Sequence, residues 1–196
     1  AIEVFTRINT GGQTLTLFEI MAAKTYDEEK NFDMQKSFSH FIKELSNVQF
    51  DTISSSVLLF TTSFILSKNQ ECKRKIVLGL NKNDIIEVWD DVLDSIKESI
   101  DYFKSVYRIP LSALLPYDSL LVPFAYFFYT TKSRPQGSQI KYLEEFFWRA
   151  SLSSRYSSST ESKLAQDIKR VNLIINNEQP EYKDFLINIK PTDLIE

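Results

Sequence analysis

The chain has 196 residues, 43% of them hydrophobic and 25% charged, with a formal net charge of −3. That length can bury a sizeable core, most simply as one domain, and the balance of charge gives no global attraction for nucleic acid. Cys72 is the one cysteine and His40 the one histidine, which excludes an intrachain disulfide and a Cys/His metal site, leaves only a carboxylate site for Mg or Ca open, and fits a reducing cytoplasm.

In chain order, Val4, Phe5 and Ile8 favour a short strand, and Gly11-Gly12 permits a turn with positive φ. Thr16 with Glu19 has the spacing of a capping box, so a first helix is predicted over Leu17 to Thr25. An acidic loop, Asp27 to Lys30, leads to a second helix from about Asp33 to Val48, where Phe38, Phe41, Ile42 and Leu45 form one apolar stripe and His40 points away from it. A third helix, Ile53 to Ser67, is apolar nearly all round and belongs at the centre of a bundle. A short fourth helix is predicted over Glu71 to Leu80, with Lys73-Arg74-Lys75 opposing its dipole. The fifth, Asn83 to Val106, buries Ile85, Trp89, Val92, Leu93, Ile96, Ile100 and Phe103.

Beyond Pro110 the apolar stretch Ile109 to Thr131 carries only Asp118 as a charge, but Pro110, Pro116 and Pro123 interrupt it. Its uninterrupted helix, Ser119 to Tyr129, is short of the ~20 residues a bilayer needs, so a core helix is predicted and no membrane partner. Lys132 to Gly137 is a loop, Ser138 a cap, and the next helix runs to about Ser151. After the serine-rich stretch Ser151 to Ser159, Ser158 and Glu161 have capping-box spacing. They open a helix from Ser159 to about Asn176, with Leu164, Ile168, Val171 and Ile175 inward. The tail from Pro180 to Glu196 is expected to hold one partial helix and to be only partly ordered. The fold class is therefore mainly α, a bundle of eight or nine helices with a remnant N-terminal strand-turn corner.

Three groups of residues carry candidate chemistry. At the corner, Arg7 can pair with a phosphate while Asn9, Thr10, Gly11 and Gly12 line an anion nest; the same residues can equally fix the angle of an adjoining domain. The second group is Arg149, Arg155, Tyr156, Ser158 and Lys163. It suits an anion or a stacked base at a helix N-terminus, or else a helix–helix junction in which the arginines satisfy carbonyls. From Lys132 to Arg170 eight cations face four carboxylates, an excess of +4 that can steer a phosphate backbone or simply be a solvated face. The third group is the row Asp84, Glu87, Asp91, Asp94, Glu98 and Asp101, of which Asp91, Asp94 and Glu98 are candidates for docking a basic partner or a second copy of the chain. No spacing defines a nucleophile–base pair or a phosphate loop, so no catalytic residue and no metal ligand is assigned.

The string Phe5-x-Arg7-Ile8-Asn9-Thr10-Gly11-Gly12-x-x-Leu15-Thr16-x-x-Glu19 resembles the closing motif of the ParB-like domain of GmrSD-type restriction endonucleases. A second string, Phe147-Trp148-Arg149-Ala150-Ser151-Leu152-Ser153-Ser154-Arg155-Tyr156 through Leu164, is similar to one in the helical part of some members. The resemblance implies that residues 1–16 are the tail end of a ParB-like domain, 17–179 a helical domain and 180–196 a C-terminal tail. The family's upstream Asp-Gly-Gln-Gln-Arg motif and the histidines of its frequent C-terminal HNH nuclease are lacking. The chain is accordingly expected to be a non-catalytic helical segment of a cytoplasmic restriction or phage-defence protein, positioning DNA or linking nucleotide-handling and nuclease domains. No cofactor is expected in this segment; an NTP and a divalent metal are implied for the parent. The alternative is an α-helical interaction or oligomerisation scaffold.

Overall fold

The computed structural model describes residues 15–67 and 70–187. They contain eight α-helices: α1 (Leu17–Thr25), α2 (Met34–Ser46), α3 (Ser55–Leu66), α4 (Arg74–Gly79), α5 (Lys82–Ser105), α6 (Leu121–Thr131), α7 (Ser138–Leu152) and α8 (Thr160–Ile175). The only β pairing among the described residues is an isolated bridge between Asp27 and Phe32. The protein is a helical bundle, as its pattern predicts. The corner residues Arg7, Asn9, Thr10, Gly11 and Gly12 lie outside the described residues, as does 188–196.

α1 begins where its capping box predicts. The Glu19 amide donates to the Thr16 hydroxyl at 3.2 Å, and the Thr16 amide donates to the Glu19 carboxylate at 2.8 Å, so two orphan amides are satisfied reciprocally. α2 starts one residue later than predicted because Asp33 is its cap, accepting from the Lys36 amide at 3.0 Å. α4 is shorter than predicted. The Ser63 and Ser67 hydroxyls both donate to the Glu71 carbonyl, at 2.7 and 3.1 Å, and hold that residue outside the helix.

α6 is the central element, buried without interruption from Leu121 to Phe128. It packs most extensively on α5, then on α8 and α3. A 3₁₀ turn, Asp118–Leu120, runs straight into it and places Pro123 in the first turn, where a missing amide costs nothing. α3 has no polar face: Thr61 and Thr62 are buried and return their hydroxyls to the Val57 and Leu58 carbonyls, both at 2.8 Å. α5 buries the predicted stripe, with Leu93 only half-buried, and adds Ser95, Ser99 and Tyr102. The two serines are small enough for close helix approach and turn their hydroxyls onto their own helix.

Where α5, α6 and α7 meet, aromatic rings form the core. Phe124 lies edge-on to Phe103 at 4.8 Å, and Phe147 stacks on Tyr107 at 4.1 Å. Such pairs contribute about 0.5–1.5 kcal/mol each beyond their buried area.

Two predicted caps are corrected. Gly137, not Ser138, precedes α7; its φ of 54° is open to glycine, and the Ser138 hydroxyl instead donates to the Asn177 side chain at 3.0 Å. The Ser158–Glu161 capping box does not form. Ser159 stands at the N-cap with φ 53° and makes no side-chain cap bond, while Thr160 turns its hydroxyl back to the Tyr156 carbonyl at 3.1 Å. The chain makes this tight reversal because Arg155 and Tyr156, just before it, are drawn into the interior.

The tail is described only as far as residue 187. Residues 180–187 hold no helix; they run as an extended strap with one turn, in which the Phe185 amide donates to the Tyr182 carbonyl at 3.0 Å. Pro180 and Phe185 are buried, so the strap is docked against the bundle.

Replacing Phe124 by Ala at this ring cluster is expected to cost about 3–5 kcal/mol in urea unfolding, whereas Val106→Ala at the exposed end of α5 stays within about 0.5 kcal/mol.

Candidate functional site

The second candidate group is where the chain concentrates its buried charge. Asp167 lies on α8 beside Leu164, Ile168 and Val171 and is fully buried. A carboxylate in that position requires several donors at close range. Arg155 supplies two, from Nε at 3.0 Å and Nη2 at 2.9 Å. The Tyr156 hydroxyl donates at 2.7 Å, and Arg170 Nη1 donates at 2.6 Å from one turn along α8.

The arginines have further partners. Arg155 Nη2 donates to the Gln166 side chain at 2.9 Å and to the Lys163 carbonyl at 3.4 Å. Arg155 Nη1 reaches Asp184 of the strap at 2.7 Å, and Arg170 Nη2 donates to the other oxygen of the same carboxylate. Arg170 Nε donates to the Glu181 carbonyl at 2.9 Å.

Aromatic rings complete the clasp. Phe185 lies beneath Arg155 at 4.3 Å and Arg170 at 4.8 Å; Tyr182 lies beneath Arg149 at 5.1 Å and Arg170 at 5.8 Å. Arg149 is further tied to Glu145, one turn back on α7, at 2.9 Å.

Electrostatics follow from this geometry. Burial favours the neutral form of Arg155, but the Asp167 and Asp184 carboxylates outweigh it and strengthen its hold on the proton. Burial, with Asp167 beside it, drives the Tyr156 hydroxyl well above its ordinary range, so it remains a donor. Desolvation acts to raise Asp184, yet the Arg155 and Arg170 guanidiniums hold it below the ordinary carboxylate value of 3.8.

In these contacts Arg155 and Tyr156 sit at a helix–helix junction, where the main acceptors are the carboxylates of Asp167 and Asp184 rather than the carbonyls expected. Both are buried, Arg155 at 4% exposure and Tyr156 at 5%, so neither offers a free face for a phosphate or a base in this conformation. Arg149 and Lys163 are half-buried, and Ser158 is exposed without a part in the network. The structure thus gathers Arg149, Arg155, Tyr156 and the Lys163 backbone around one centre, and leaves Ser158 out. Sequence reasoning missed Asp167, Arg170 and Asp184 as their partners. The available signal was an acid placed among the apolar positions of α8.

The third group is exposed along α5. Asp91 pairs with Lys132 at 2.8 Å, and Asp94 meets Lys97 at 3.7 Å; Glu98 makes no ion pair among the described residues. Beside this face, α2, α5 and the loop between α1 and α2 enclose a groove of about 870 Å³ with Trp89 and Phe41 among its walls, and His40, Glu44, Asp90 and Asp94 also line it. Among the described residues no cluster of three or more His, Cys, Asp or Glu is placed to hold a metal ion, and no helix is long and apolar enough to cross a membrane.

The chain is similar to Uncharacterized protein MJ0686 of Methanocaldococcus jannaschii, with 26% identity over 192 residues that cover 92% of this chain and 32% of that protein. The chain therefore spans about a third of that relative's length. No protein-family model matches the chain. No solved structure matches it either.

The depressed Asp184 value sets a pH dependence. Docking that depends on the ionised carboxylate is fully present above 3.8 and is lost as pH falls through the lower folded value. Within the clasp it is countered by Arg155 and Arg170, with Asp167 and Tyr156 behind them and Glu181 and Lys183 beside it. The Phe185 amide resonance should therefore hold its position down to about pH 4 and move below it; a midpoint above 3.8 would contradict the assignment.

Proposed function

We propose that the chain serves as a non-catalytic helical framework of a GmrSD-type, ParB-like DNA restriction or phage-defence protein in the cytoplasm, linking nucleotide-handling and nuclease domains and helping to position DNA. One observation carries the reading: the second family-like string, Phe147 to Leu164, forms the pivot of the fold. It reaches from the aromatic core through Phe147 to the buried ion network through Arg155 and Tyr156, and ends on the packed Leu164. Residues that resemble the family thus join the aromatic core to the charged network, as suits a connecting domain. A relative about three times longer than the matched segment is consistent with such a place inside a larger protein.

The cations left for DNA are those at the surface. Arg134, Lys141 and Lys169 are exposed, and Arg149 and Lys163 are half-buried. Binding through them would be non-specific and steeply salt-dependent. A mobility-shift series with duplex DNA is expected to show retardation that fades with added salt and weakens in Arg134→Ala/Lys141→Ala/Lys169→Ala. Absent or salt-insensitive binding removes the DNA role.

The acidic face of α5 favours a second reading, a scaffold that docks a basic partner or another copy of the chain. Its carboxylates are exposed, and Asp94 lines the groove against α2. Concentration-dependent sedimentation that disappears on Asp91→Lys/Asp94→Lys is the outcome that reading requires.

A further inference from the structure

Asp184 differs from its three partners in the charged square. Asp167 is fully buried, the Arg155 side chain is 3% exposed and that of Arg170 is 13% exposed, whereas the Asp184 side chain is 40% exposed. It is also carried differently. Asp167 and Arg170 stand on α8 and Arg155 on the reversal before it, while Asp184 hangs on a strap with no backbone-to-backbone hydrogen bond to the bundle among the described residues. The strap is held by side chains of the bundle and its own: the two arginines on Asp184, Arg170 Nε on the Glu181 carbonyl at 2.9 Å, the Phe185 and Tyr182 rings beneath guanidiniums, and Tyr182 reaching the Tyr142 carbonyl at 3.5 Å. A segment tied this way opens at less cost than the helices it covers.

Beneath the strap, the two guanidiniums do not depend on Asp184 for their placement. Arg155 grips Asp167 through Nε and Nη2, and Arg170 grips it through Nη1. The remaining edges, Arg155 Nη1 and Arg170 Nη2, both point at one place and there bind the two oxygens of a single carboxylate. Two cations over one fixed anion leave a charge of +1 for whatever fills that place. Paired guanidinium edges accept a phosphate group by the same charge-assisted hydrogen bonds as a carboxylate.

We propose that Asp184 is the built-in occupant of a two-arginine anion site, and that a phosphate group takes its position on Arg155 and Arg170 when the strap lifts. The strap is then a self-occupying lid, and Asp167 keeps the site in shape while it is open. This stands apart from the framework role and survives its failure, because it concerns a phosphate group of any origin.

The test has an arm on the wild-type chain and an arm on a variant. In the wild type, inorganic phosphate competing with Asp184 should accelerate tryptic cleavage after Lys183, relative to sodium chloride at equal ionic strength. In Asp184→Asn the same cleavage should be fast without phosphate. Its affinity for inorganic phosphate, by calorimetry, should rise about tenfold or more, as expected when a lid that leaves a tenth or less of the sites open is removed. Adding Arg170→Gln should abolish the gain. Titration of an oligothymidylate beside inorganic phosphate separates the sources: tighter oligothymidylate binding assigns the site to a nucleic-acid backbone, and equal binding assigns it to free phosphate. The proposal is overturned if phosphate leaves the wild-type cleavage rate at the chloride value, if Asp184→Asn keeps the strap docked, or if the strap is freed and phosphate affinity does not change.

Discussion

A carboxylate with no exposure to solvent, Asp167, sits among leucine, isoleucine and valine on α8, and the last third of the bundle is arranged around it. An unpartnered charge there would cost several kcal/mol, so the chain brings four donor bonds to it from three side chains. Two of those side chains, Arg155 and Tyr156, belong to the link between α7 and α8, which fixes the angle at which one helix follows the other. The third, Arg170, is one turn along α8. Through Arg155 and Arg170 the same charge reaches the strap, where Asp184 closes the square at the surface.

This arrangement changes the meaning of the positive excess between Lys132 and Arg170. Counted along the chain it looks like a surface for phosphate. Folded, Arg155 and Arg170 are committed inward, Arg149 to Glu145 and the Tyr182 ring, and Lys132 to Asp91 and the Tyr129 ring. What remains outward is a sparse set of lysines and Arg134. The physical identity of the region is therefore a joint, and the framework reading of the protein rests on that joint.

Most of the helical architecture was legible because it is local. The Thr16–Glu19 box marked the first helix to the residue, and the period of Ile85, Trp89, Val92, Ile96, Ile100 and Phe103 marked the long one. The charged joint was not legible, since Asp167 lies 12 residues from Arg155 and Asp184 lies 29 away, and no periodicity links them. The same joint explains the failed cap at Ser158. Drawing Arg155 and Tyr156 inward forces a reversal at Ser159 that a run of similar serines does not announce. The docking of residues 180–187 was not legible for a related reason: it comes from two aromatic rings beneath arginines contributed by other segments.

The most direct measurement is a double-mutant cycle on Arg155→Met and Asp167→Leu, read by urea unfolding. If Asp167 and its donors hold the joint, each single change takes the main partner from a buried charge and costs about 3 kcal/mol, and the double change recovers part of that loss. Additive costs, or single variants within about 1 kcal/mol of the parent chain, would contradict the account.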